Sequence, residues 1–159
     1  MNRPSNAPLH ISVQDGTSPL RIALSGDLDE RADLGVLGAQ TAPRLTFDLA
    51  NLTRINSIGV RRWVHALEAM LAKPNVKIVL TRCSPAFVTQ ALMIANMVDG
   101  VRIESLFVSY WCDRCTRNED VLIEAGQTVK LTLTCPTCRQ PFEADPSLPL
   151  IADLLRAHG

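Results

Sequence analysis

The chain has no charge excess of either sign. Its 159 residues carry 16 basic and 16 acidic side chains, for a formal net charge of zero. A protein that wraps nucleic acid draws most of its affinity from neutralising phosphates and usually shows a clear basic surplus, so the balance argues against that class. Long apolar runs are missing as well. No stretch approaches the roughly 18–20 apolar residues needed to cross a bilayer. The opening residues, Met1 to His10, include a basic side chain but no apolar segment of the secretory kind. The resulting expectation is a cytoplasmic protein without a membrane span. There is no glycine-rich phosphate loop of the P-loop or dinucleotide type, no internal repeat and no low-complexity tract. His10, His65 and His158 are scattered, with neither triad order nor metal spacing among them. Asp48, Glu104 and Glu119 do not cluster along the chain. No enzyme is expected from these residues.

What is present suits a globular α/β protein: 47% of the residues are hydrophobic and 20% charged, close to the averages for soluble domains. Met1 to Pro8 reads as a loose lead-in. Leu9–Gln14 alternates apolar and polar side chains, and Asp15-Gly16 with Ser18-Pro19 supplies a turn into a second strand, Leu20–Ser25. Asp29 is placed to cap a helix over residues 30–40, which Gly35 and Gly38 weaken. Leu45–Leu49 is a short buried strand. Val60, Trp63, Val64, Leu67, Met70 and Leu71 then follow the three-and-four spacing of one helical stripe, ended by Pro74. Val76–Thr81 is a strand. Ser84-Pro85 opens another helix, with Phe87, Ala91, Ile94, Ala95 and Val98 as its stripe and Gly100 as its stop. Val101–Tyr110 returns to strand. The order β-β-α-β-α-β-α-β predicts one sheet over residues 9–110, covered by helices and joined by right-handed crossovers.

Residues 111–159 differ in character. Four of the five cysteines stand as Cys112-Asp113-Arg114-Cys115 and Cys135-Pro136-Thr137-Cys138. A two-residue spacer folds the chain into a tight knuckle presenting two thiolates to one ion. The gap between the pairs matches the spacing of four-cysteine zinc sites. A redox pair needs only one CxxC at a helix start; two at this spacing point to a structural Zn2+, one per chain, with no coordination position left for water. Val121–Glu124 and Val129–Leu133, around Ala125-Gly126, suggest a β-hairpin on that metal base, a zinc ribbon. A unit this small draws much of its folding free energy from the metal. Arg139–Pro149 is polar. Leu150–His158 reads as a short amphipathic helix with Leu150, Leu154 and Leu155 inward. Cys83 is left over and suits a small core hydrophobe.

Two segments carry a family resemblance. Leu45-Thr46-Phe47-Asp48-Leu49 followed by Ile55-Asn56-Ser57-Ile58-Gly59-Val60, at the head of a helix, resembles the central signature of STAS domains, the anti-sigma-factor antagonists and their relatives. Leu24-Ser25-Gly26-Asp27-Leu28-Asp29 is similar to that family's second strand and its exit. The resemblance covers roughly residues 9–110. It implies a STAS-like mixed sheet with helices and a non-catalytic module that binds a partner protein, a kinase or anti-sigma-type regulator. It also implies a contact surface at Asn56, Ser57, Gly59, Arg61 and Arg62, with Ser57 as the phosphorylated residue. Asn56 stands where that family has aspartate. Read from the residues alone, Asn56 and Ser57 are helix caps, whereas Arg54, Arg61 and Arg62 offer either a phosphate clamp or contacts to an acidic partner. A different class also stays open, in which the ribbon, with Arg114, Arg117, Lys130 and Arg139, docks nucleic acid or the transcription machinery. A third, a subunit serving a lipid-transport complex, has no direct support in the residues. Oligomeric state is not encoded in any of these motifs.

Overall fold

The computed structural model describes residues 7–16 and 18–159; residues 1–6 of the expected lead-in and Thr17 of the expected turn lie outside the described residues. β1 (His10–Gln14) and β2 (Leu20–Leu28) form an antiparallel hairpin, with His10 opposite Ser25 and Gln14 opposite Arg21. β2 then lies parallel to β3 (Arg44–Ile55), β3 to β4 (Lys77–Thr81) and β4 to the two-residue β5 (Arg102–Ile103). The resulting sheet has the order β1-β2-β3-β4-β5. Its strands alternate: Ile22, Phe47 and Leu80 are buried on the face that meets the helices, while Arg21, Thr46 and Thr81 point to the opposite face.

The helices follow their capping signals. In α2 (Ser57–Leu71) the Asn56 side chain accepts from the Gly59 N–H. In α3 (Pro85–Met93) the Ser84 side chain accepts from the Phe87 N–H, with proline in the first turn. Trp63 of α2 is fully buried, edge-on to Phe47 at 5.6 Å and to Phe87 at 5.5 Å, and its indole N–H donates to the Met97 carbonyl at 2.9 Å. One ring thus joins the central strand to both helices.

Several expectations are corrected. The helix expected over residues 30–40 is a single turn, α1 (Gly35–Gly38), because Asp29 turns its carboxylate onto Arg31 instead of capping, and glycine occupies both ends of the turn. α3 stops at Met93, short of Gly100; Ile94 is extended and a 3-10 turn covers Ala95–Met97. The strand expected over Val101–Tyr110 is two strands: the chain leaves the first sheet at Glu104, and β6 (Ser105–Cys112) opens a second. The hairpin expected between Val121–Glu124 and Val129–Leu133 does not form. Instead β7 (Arg117–Glu124) pairs with β6, β8 (Thr132–Thr134) pairs with β9 (Pro141–Ala144), and β6 meets β9, giving the order β7-β6-β9-β8. Each hairpin takes one cysteine knuckle as its turn.

α4 (Leu148–His158) ends the chain and packs against α3, β5 and β6. Its buried side chains are Leu148, Ile151 and Leu155. Leu150 is 58% exposed, so the apolar stripe is rotated from the expected one. A single hydrophobic cluster runs from Leu20 on β2 to Leu155 on α4, taking in Cys112, Cys135 and Phe142. Among the described residues the architecture is mixed α/β, with two sheets and four α-helices. Among the described residues, no helix is long and apolar enough to cross a membrane.

Candidate metal centre and the head of helix α2

The two knuckles face each other. The sulfurs of Cys112, Cys115, Cys135 and Cys138 all lie within 4.8 Å of one another. Two separations between the knuckles are 3.4 Å, from Cys112 Sγ to Cys138 Sγ, and 3.6 Å, from Cys115 Sγ to Cys135 Sγ. These are far beyond a disulfide bond, and all four cysteines are free. They do approach the edge of about 3.8 Å expected for a tetrahedron with metal–sulfur bonds near 2.3 Å. The four cysteines are therefore close enough to hold one metal ion.

Local backbone geometry explains how the chain turns so tightly. In the second knuckle the Arg139 N–H donates to the Cys135 carbonyl, and the Cys135 N–H to the Gln140 carbonyl, both at 2.9 Å. The residue after each knuckle, Thr116 and Arg139, has positive φ (50° and 60°), where β-branched and long side chains are rarely found. Two residues before Cys112, Tyr110 packs in a tilted arrangement against Phe142 at 5.9 Å and donates its hydroxyl to the Lys130 carbonyl at 2.6 Å. Aromatic packing thus braces the site from the buried face.

The thiols do not behave alike. Backbone N–H groups of Cys138 and then Thr137 lower the Cys135 thiol to about 6, against the opposing pull of desolvation. At Cys115, desolvation and hydrogen bonds with neighbouring thiols push the pKa up to about 12. Four sulfurs this close cannot all carry charge unaided. A divalent cation among them removes the conflict by binding every one as thiolate. The fifth cysteine, Cys83, is buried, and burial raises its pKa strongly. It packs as a core residue, as its sequence position suggested.

Ser57 lies on the surface at the first position of α2. Gly59 beside it is buried, and an added Cβ would fall inside the Leu28 carbonyl. The Asn56 N–H donates to that carbonyl at 3.2 Å, so the helix starts directly against the end of β2. Asn56 also donates through Nδ2 to Glu30 Oε2 at 2.7 Å. The loop before α1 thus joins the site, a contribution that no local signal in the sequence reveals. Asp29 instead accepts from the Arg31 N–H and guanidinium, and this lowers its pKa. Glu30 is also held low, by its own backbone N–H and then by Asn56. Asp27, Asp29, Glu30, Arg31, Arg54 and Asn56 line a shallow groove beside the helix start. Within it, buried Asp27 accepts from the Thr53 hydroxyl at 2.7 Å.

The arginines separate in space. Arg54 borders the groove, Arg61 is exposed on α2, and Arg62 donates to the Ala32 carbonyl at 2.8 Å, pinning the loop to the helix. His65 is exposed and stands 3.9 Å from Glu68. Asp48 pairs with Arg82 across the helix-free face of the first sheet, away from both sites. No protein-family profile, curated protein or solved structure matches the chain.

Proposed function

We propose that this chain is a non-catalytic, cytoplasmic regulatory module of the STAS type, which binds a partner protein through the surface around Ser57 and carries a structural zinc ribbon. The observation that carries the reading is the construction of the α2 head. Gly59 seats the helix against Leu28, Asn56 caps it, and the Ser57 side chain stands exposed at its first turn. A helix N-terminus offers unpaired N–H groups and the positive end of the dipole, so a phosphate on Ser57 need not unfold the domain. It would put roughly two negative charges into the middle of a contact surface beside Arg54 and Arg61, changing which partner fits. The hairpin followed by parallel strands and helices, in the order β1-β2-β3-β4-β5, also supports the family resemblance.

Affinity capture from a native extract, comparing wild type with Ser57→Ala and Ser57→Asp, tests the switch. The expected result is a partner retained by alanine and lost by aspartate; equal recovery by both ends the switch model. For the ribbon, metal analysis should give about one zinc per chain, because four thiolates in a closed tetrahedral site suit Zn2+. Cys135→Ser should abolish stoichiometric zinc and leave the C-terminal third open to protease. One observation favours the nucleic-acid reading: Lys130 and Arg139 border a shared groove on the β8–β9 side of the ribbon. Titration with duplex and single-stranded DNA at two salt concentrations tests it, since phosphate contacts show a steep salt dependence.

A further inference from the structure

Strand alternation divides the second sheet into two unlike faces. The inner one carries Val108, Tyr110, Ile123 and Phe142, all buried. The outer face carries Phe107 and Trp111 from β6, Asp120, Leu122 and Glu124 from β7, and Glu143 from β9. Trp111 is 45% and Leu122 39% exposed, and Phe107, opposite Leu122, is half-buried. The charges that the strand register puts on this face are all negative. Arg117, opposite Cys112 in the strand register, points the other way and is held by Thr137 at 3.0 Å and Glu119 at 3.1 Å. Lys130 and Arg139 border a different groove.

We propose that this face docks an extended, cationic peptide segment of a partner protein, with an apolar side chain laid across Trp111 and Leu122 and lysine or arginine set against the carboxylates. The indole is already fixed, because Trp111 Nε1 donates to Asp113 Oδ1 at 2.5 Å, so little side-chain freedom is lost on contact. That bond also places a carboxylate beside the ring. A guanidinium stacked on the indole meets the ring's negative face and the Asp113 charge together. Asp120 is held by the Ser109 hydroxyl at 2.6 Å, and Glu143 lies opposite Trp111 on β9. β7 is an outer strand of its sheet, so an extended segment can run along it and place alternate side chains on the outer face. A nucleic-acid backbone is a poor occupant, since its phosphates would meet only carboxylates here. The site is separate from the Ser57 surface and does not depend on it.

The two tryptophans make the test direct. Trp63 is fully buried, so quenching of tryptophan emission by acrylamide reports Trp111. The zinc-loaded full chain is titrated with short synthetic peptides of lysine alternating with valine and tyrosine, of glutamate alternating with the same residues, and of lysine alternating with serine. The lysine–apolar peptide should bind saturably, shield Trp111 from acrylamide and shift amide resonances on β6 and β7. Trp111→Ala should weaken it by about tenfold or more. The surface variant Asp120→Lys with Glu143→Lys, its fold checked by circular dichroism, should reverse the preference in favour of the glutamate peptide. Ser57→Asp should leave binding unchanged. Equal binding of all peptides, shifts centred elsewhere, or an unchanged preference in the charge-reversed variant would each overturn the proposal.

Discussion

Gly59 is a single missing side chain on which the position of a whole helix depends. Its Cα faces the Leu28 carbonyl so closely that any Cβ must push the start of α2 off the sheet. Alanine is the better helix former by about 1 kcal/mol, yet Gly59→Ala is expected to destabilise the protein by about 3 kcal/mol, the scale of an overpacked core. Denaturant unfolding measures it directly. At Asn56 the chemistry is subtler. Aspartate would keep the acceptor for the Gly59 N–H but would turn the donor to Glu30 into a second carboxylate. In the wild type Glu30 is held below its usual 4.5. Its contribution to stability is thus present above that pH and lost as pH falls through the lowered value. Asn56→Asp should therefore melt below wild type near neutral pH, with the gap closing in acid. Adding Glu30→Gln should remove the gap at every pH, and thermal melts across pH check both statements.

Among the elements, those with local signals were legible in the sequence. The caps at Asn56 and Ser84 fix α2 and α3, and the paired CxxC knuckles announce a cluster of four cysteines close enough to hold a metal ion. Elements decided by distant contacts were not. Nothing in the run from Val101 to Tyr110 marks Glu104 as the point where the chain changes sheets. Its N–H still bonds to the Leu80 carbonyl of the first sheet at 2.8 Å, while its carbonyl already accepts from Ala125 of the second, also at 2.8 Å. The expected hairpin failed for a related reason. Val129 to Leu133 has strand composition, but β7 was already claimed by β6. The stripe of α4 differs from the expected one because the helix begins at Leu148, between Pro146 and Pro149, and Ile151 takes the inward position in place of Leu150. The same division sets an expectation for metal removal. Chelation should erase amide-exchange protection across β7, β8 and β9 while leaving β1 to β5 protected, since no strand of the first sheet carries a knuckle. Hydrogen exchange read by mass spectrometry distinguishes this from global unfolding.

For the whole molecule, the continuous core matters more than the count of sheets. Leu155 of α4 is buried in the same cluster as Phe87 and Val88 of α3, and His158 Nδ1 stands 3.3 Å from the Val101 carbonyl. Leu155→Ala is expected to cost about 2–5 kcal/mol and, because one core is shared, to lower a single unfolding transition without splitting it in two. Calorimetry would reveal the number of transitions. The two-sheet arrangement also has a practical consequence for dissecting the protein. Ser105 to Cys112 is an inner strand of the second sheet, contributes the first of the four clustered cysteines, and is tied at Ser105 and Phe107 to Cys83 beside α3. A fragment begun just ahead of Cys112 would retain all four sulfurs yet lose the scaffold between β7 and β9. Any excised version of the half that carries the four clustered cysteines must therefore start no later than Ser105.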